Sequence, residues 1–113
     1  MNIEKIVINY LKDKMQTDAV YGEIPDSPEG EFFVVDKTGS ATVDRICTST
    51  VAIQSYGDSK AKAADSNEKL KDAMEGIVAL DQIGRCHLTT DYNFTNVARK
   101  QYRYQAVYEI THY

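Results

Sequence analysis

Apolar residues recur at three-to-four spacing along the first stretch of the chain, at Ile3, Ile6, Val7, Tyr10, Leu11 and Met15. Glu4, Lys5, Asn9, Lys12 and Asp13 fall between them, so the pattern predicts an amphipathic helix. Asn2 is placed to cap it, and it should stop near Gln16–Thr17. Residues 19–25 then read as a short β segment that Pro25 bounds, and 26–30 are dense in turn formers. Residues 31–38 contain the unbroken run Phe32-Phe33-Val34-Val35, which predicts a strand buried on both faces.

A polar, glycine-containing link over 39–44 follows, longer than a tight turn, and reads as a protruding finger. Residues 45–56 predict a second strand, making a hairpin with the first. Period-two counting puts Cys47, Val51 and Ile53 on one face, and Ile46, Thr48, Thr50, Ala52, Gln54 and Tyr56 on the other. Gly57 ends the strand and Asp58 or Ser59 caps a helix over 60–75, with Ala63, Ala64, Asn67, Leu70, Ala73, Met74 and Ile77 as its buried stripe. Gly76 marks its fraying end. Residues 84–91 read as a strand, 92–100 as a polar loop, and 101–113 as a closing strand with Tyr102, Tyr104, Ala106, Tyr108, Ile110 and His112 on one face.

The order is α-β-β-β-α-β-β. It predicts one α+β domain over 1–113, a mostly antiparallel sheet with two helices packed on one face. At 113 residues the chain has one domain's worth of length and can bury a modest core. With 42% hydrophobic and 27% charged residues, it has the composition of a globular protein. There is no apolar run of membrane-spanning length, and the first residues lack the apolar stretch of a secretory leader, so the expectation is a cytoplasmic chain without membrane association.

Candidate chemistry is sparse. Cys86-His87 followed by Asp91 is the best catalytic grouping, but neighbouring strand residues point to opposite faces. His87 and His112 are the two histidines, and neither sits in a metal-ligand spacing. Cys47 and Cys86 read as reduced, partly buried strand residues. No glycine-rich phosphate loop is present, and no cofactor is expected. Asp58, Asp65, Asp72 and Asp81 read as a solvated face. Arg85, Arg99, Lys100 and Arg103, interleaved with Tyr92, Phe94, Tyr102 and Tyr104, have a composition that fits either single-stranded nucleic acid or a protein contact. The net charge of -4 favours the protein contact. The expectation is a non-enzymatic assembly protein.

The succession of segments resembles a known family. An amphipathic helix leads to Val20-Tyr21-Gly22-Glu23-Ile24-Pro25. A strand follows, ending Val34-Val35-Asp36-Lys37-Thr38-Gly39, and then Val51-Ala52-Ile53-Gln54-Ser55-Tyr56 before an alanine-rich helix. The chain closes on Arg103-Tyr104-Gln105-Ala106-Val107-Tyr108-Glu109-Ile110-Thr111-His112. This resembles the small tail-terminator (tail completion, head-to-tail joining) proteins of long-tailed bacteriophages and prophages, over nearly the whole chain. The resemblance implies a homohexameric ring on the last ring of the tail tube. That ring would stop tube polymerisation and offer a docking face to the head connector or stopper protein. DNA would pass through the hole without specific binding, repelled by an acidic surplus at the lumen.

It further implies assembly in the host cytoplasm and a final place at the tail–head junction of the virion. The family has no catalytic residues to carry over. Other phage neck and head-closure proteins share the size and the α+β character, and a small hydrolase or a nucleic-acid-binding module are the remote readings. On the ring reading, the 39–45 finger and the 92–101 loop meet the tube or the neighbouring subunit. The residues expected there are Ser40, Thr42, Asp44, Arg45, Asn93, Asn96, Arg99, Tyr102 and Tyr104.

Overall fold

The computed structural model of the protein describes residues 2–26 and 29–113. Ser27 and Pro28, in the turn expected over 26–30, lie outside the described residues. Helix α1 spans Ile3–Met15. The Asn2 side chain accepts a hydrogen bond from the Lys5 amide at 3.2 Å, satisfying one donor of the first turn. Gln16 ends the helix in the left-handed region (φ 56), and the Thr17 amide donates back to the Lys12 carbonyl at 3.1 Å. Strand β1 is only Val20–Tyr21, shorter than the expected 19–25, and pairs in parallel with Phe33 and Val34.

Strands β2 (Phe32–Val43) and β3 (Ile46–Gly57) form a hairpin. The expected loop over 39–44 is corrected: β2 runs on to Val43, and the turn is only Asp44-Arg45. Cross-strand pairs Ser40 with Ser49 and Thr42 with Cys47 extend the ladder, since small β-compatible residues can pair without a core beneath them. The register shifts once, between Lys37 and Gly39. The finger is therefore a two-stranded arm, exposed from Asp36 to Ile46.

Helix α2 (Lys60–Met74) follows, capped by Ser59, whose hydroxyl accepts from the Lys62 amide at 3.2 Å. After a single 3-10 turn (Ile77–Ala79) come β4 (Ile83–Asn93) and β5 (Tyr102–His112). Tyr92 and Asn93, expected in a loop, are the last residues of β4, held opposite Gln105 and Tyr104. The sheet order is β1-β2-β3-β5-β4, antiparallel except at β1–β2.

Both helices lie on one face of the sheet. Ile3, Val7 and Leu11 of α1 and Leu70 and Met74 of α2 pack on Phe33, Val35, Val51, Ile53, Ala106, Tyr108 and Ile110. Both faces of β2 are buried at its start: Phe33 and Val35 in that core, Phe32 and Val34 in a smaller cluster with Tyr56 on the opposite side. Ser66 joins the buried stripe of α2, which pattern alone did not include. Its hydroxyl donates to the Glu31 carboxylate, which Lys69 also meets at 2.9 Å. Partial burial alone would raise Glu31, but these partners outweigh it and hold the carboxyl below its ordinary range.

Gly76 is not a left-handed cap: its φ is -89. A Cβ there would lie 2.7 Å from the Tyr10 hydroxyl, which donates to the Ala73 carbonyl at 2.7 Å and ties α1 to α2.

Candidate assembly interface

The two long hairpins point in opposite directions. β3 and β5 pair from Cys47–His112 at one end to Gly57–Tyr102 at the other, a ladder of roughly 33 Å at ~3.3 Å per residue. The β2–β3 turn projects beyond the first end, and the β4–β5 connection lies beyond the second. The molecule is elongated accordingly, 44 × 26 × 24 Å.

At the first end, Asp44 and Arg45 both have positive φ, 50 and 68. Two such residues make the tight turn whose twist matches paired strands, a geometry that Asn-Gly or Gly-Gly adopt with less strain. Ser40, Thr42, Asp44 and Arg45 are all exposed, and Val43 (69%) and Ile46 (44%) bracket the turn with apolar side chains. At the root of this arm, Ser49 Oγ lies 2.8 Å from His112 Nε2, with both residues buried. Burial lowers the His112 pKa below its ordinary value, and the charge of Lys37 acts in the same direction.

At the second end, Asn93 and Asn96 shape the connection itself. The Asn93 carboxamide accepts from the Thr95 amide at 3.0 Å and that of Asn96 from the Arg99 amide at 3.3 Å. Asn96 and Gln101 form a bridge closing the turn, with Lys100 at φ 53. The tip is then Val97, Ala98, Arg99 and Lys100, all exposed, with Val97 at 82%. Tyr102 and Tyr104 are half-buried at the start of β5, opposite Gly57 and Ser55. The expected residues thus fall into two groups: Ser40, Thr42, Asp44 and Arg45 at one end, and Asn93, Asn96, Arg99, Tyr102 and Tyr104 at the other.

The expected basic cluster divides too. Arg85 pairs with Thr111, toward the arm end of β5 and away from Arg99 and Lys100. Arg103 is committed within the fold: Nη1 donates to the Tyr56 hydroxyl at 2.9 Å and Nε to the Phe94 carbonyl at 2.7 Å. Its guanidinium lies 4.4 Å from the Phe94 ring centre. The Tyr56 ring stacks on Phe32 at 4.3 Å, and its hydroxyl donates to Gln54, which in turn donates to Gln105. These residues form a connected polar and aromatic layer on the helix-free face, and Gln54 and Tyr56 owe their places to that layer.

A groove of about 320 Å³ opens between α2 and β4. Met74, Val78, Cys86, Leu88 and Tyr108 line its apolar part, and Glu68, Asp72 and Glu75 supply acids. Lys71 bridges Glu68 at 2.8 Å and Asp91 at 2.9 Å, and those hydrogen bonds raise its pKa. Asp91 also accepts from the buried Asn67 amide at 3.2 Å. Among the described residues no hydrogen bond joins Cys86, His87 and Asp91. Burial pushes the Cys86 thiol up to about 11, away from the thiolate that nucleophilic chemistry needs. His87 lies opposite Glu109 and His112 opposite Ile83, so the two histidines do not meet. Cys47 and Cys86 are both free and half-buried.

Among the described residues, no helix is long and apolar enough to cross a membrane. No protein-family model and no curated protein matches the chain. Among solved structures, a chain of the virion of a native gene transfer agent particle has a similar fold. The two superpose with a TM-score of 0.57 at 17% identity, over 97% of this chain and 93% of that one, so the likeness spans the whole fold.

Proposed function

We propose that this protein is a structural component of a phage-like virion, and that it forms a ring which caps the tail tube. The observation that carries the reading is the shared fold with a virion chain over 97% of the present chain. The sequence resemblance to tail terminators narrows the role to ending tube growth and presenting a docking face to the head connector. The opposed hairpin ends support it: a cap needs one surface for the tube and another for the head side. On this reading the chain assembles in the host cytoplasm and then resides at the tail–head junction, as a homohexamer through which DNA passes without specific binding. The reading is of a protein without catalysis or cofactor.

The test is the solution mass by light scattering, followed by incubation with growing tail tubes and electron microscopy. A sixfold mass, or a monomer that caps tubes and halts their growth, supports the proposal. A chain that leaves tube length unchanged overturns it in favour of another neck or head-closure role.

A further inference from the structure

The α2–β4 groove has an apolar floor and an acidic rim. Lys71 is already neutralised by Glu68 and Asp91, whereas Asp72 and Glu75 take part in no ion pair among the described residues. Leu88 (36%) and Val78 (50%) stay exposed along it. The β4–β5 tip has the complementary chemistry. Val97 is 82% exposed, and Arg99 and Lys100 beside it take part in no ion pair among the described residues. The tip is ordered before any contact: the Lys100 amide donates to the Val97 carbonyl at 3.3 Å and the Arg99 amide to Asn96 at 3.3 Å. A pre-shaped tip loses little entropy on docking. Lys100 holds a positive φ at which glycine would be less strained, so the turn itself does not call for a cation there.

We propose that the Val97–Lys100 tip of one copy docks into the α2–β4 groove of a second copy, with Val97 on the apolar floor and Arg99 and Lys100 against Asp72 and Glu75. The tip cannot fill its own groove. Leu88 pairs with Tyr108 and Asn96 with Gln101, seven residues apart along β5, roughly 23 Å at ~3.3 Å per residue. The two surfaces are different, so the contact is head-to-tail, the kind that makes a ring where its rotation closes. The inference rests on the reading of the chain as a self-assembling ring and names the surfaces that join it.

Zero-length carbodiimide cross-linking of an equal mixture of ¹⁴N and ¹⁵N protein, alone and on tail tubes, should give mixed-isotope peptides joining Lys100 to Asp72 or Glu75. Two charge-reversed chains carry the second arm: Arg99→Glu with Lys100→Glu, and Asp72→Lys with Glu75→Lys. All four positions are exposed, and circular dichroism would verify the fold. Each reversed chain alone should associate at least about tenfold more weakly than wild type, because like charges then face each other. Mixing the two should restore the wild-type mass, since every junction again pairs opposite charges.

Absence of the mixed-isotope peptides both in solution and on tubes, or a mixture no heavier than its parts while wild type assembles, overturns the contact. Tube capping without this contact would remove the inference and leave the capping role standing. The contact without capping would do the reverse.

Discussion

At Gly57 the end of β3 runs against the first turn of α2, and a Cβ there would sit 2.7 Å from the Ala63 amide nitrogen and 2.9 Å from the Lys62 carbonyl carbon. Those are backbone atoms of a capped helix and cannot swing aside as a flexible side chain would. Gly57→Ala should therefore cost about 1–3 kcal/mol, read as a lower urea midpoint at unchanged slope. His112 gives a different kind of dependence. Its folded pKa lies below the ordinary 6.5, so below that pH the unfolded chain takes up a proton that the native state resists. Its contribution is complete above the unfolded pKa and is lost as pH falls from about 7 through the folded value. Urea titrations at pH 7 and pH 5 should show a larger loss for wild type than for His112→Asn, and equal losses would contradict the argument.

Among elements, the attachment of α2 to β4 depends on few polar contacts. Asp91 holds Asn67 and Lys71 of α2 from the strand side. Asp91→Ala would leave the Asn67 amide, in a residue 2% exposed, without its partner. The expected cost is about 1–3 kcal/mol. Hydrogen exchange should rise first in β4 and the C-terminal half of α2, while the β2–β3 ladder keeps its protection. The same two elements form the groove, so on the proposed tip-to-groove contact this variant should also weaken association between copies. The hairpin strands were legible because β-branched, aromatic and small residues run through them. Their ends were not: Gly39 and Ser40 look like a loop, and only pairing with Thr50 and Ser49 makes them strand. Tyr92 and Asn93 likewise became strand through Gln105 and Tyr104.

For the whole molecule, the net charge of -4, the commitment of Arg103 to Tyr56 and Phe94 and the distance of Arg85 from Arg99 and Lys100 break up the basic cluster that DNA would need. Fluorescence anisotropy with a labelled duplex at about 50 mM salt should show no saturable binding. A linear fall of log affinity with log salt would instead reveal phosphate contacts. The elongated outline separates the two hairpin ends by more than the length of the shared ladder, so changes at one end should leave the chemistry of the other intact.

Periodicity and capping residues alone determined the element order, the apolar stripe of α1, most of that of α2, and the helix starts, at Asn2 and at Asp58 or Ser59, because those signals are local; the structure chose Ser59 and added Ser66. The sequence also contained every residue of the candidate surfaces, but not their grouping. The tertiary structure decided that Arg45 and Arg99 stand at opposite ends and that Arg85 is remote from the β4–β5 tip. It also decided that Arg103 is an internal brace and that Asp72 and Glu75 rim a groove over Cys86 and Leu88. Strand register brings together residues far apart in the chain, and register is set by which side chains can share a core, which no local window contains.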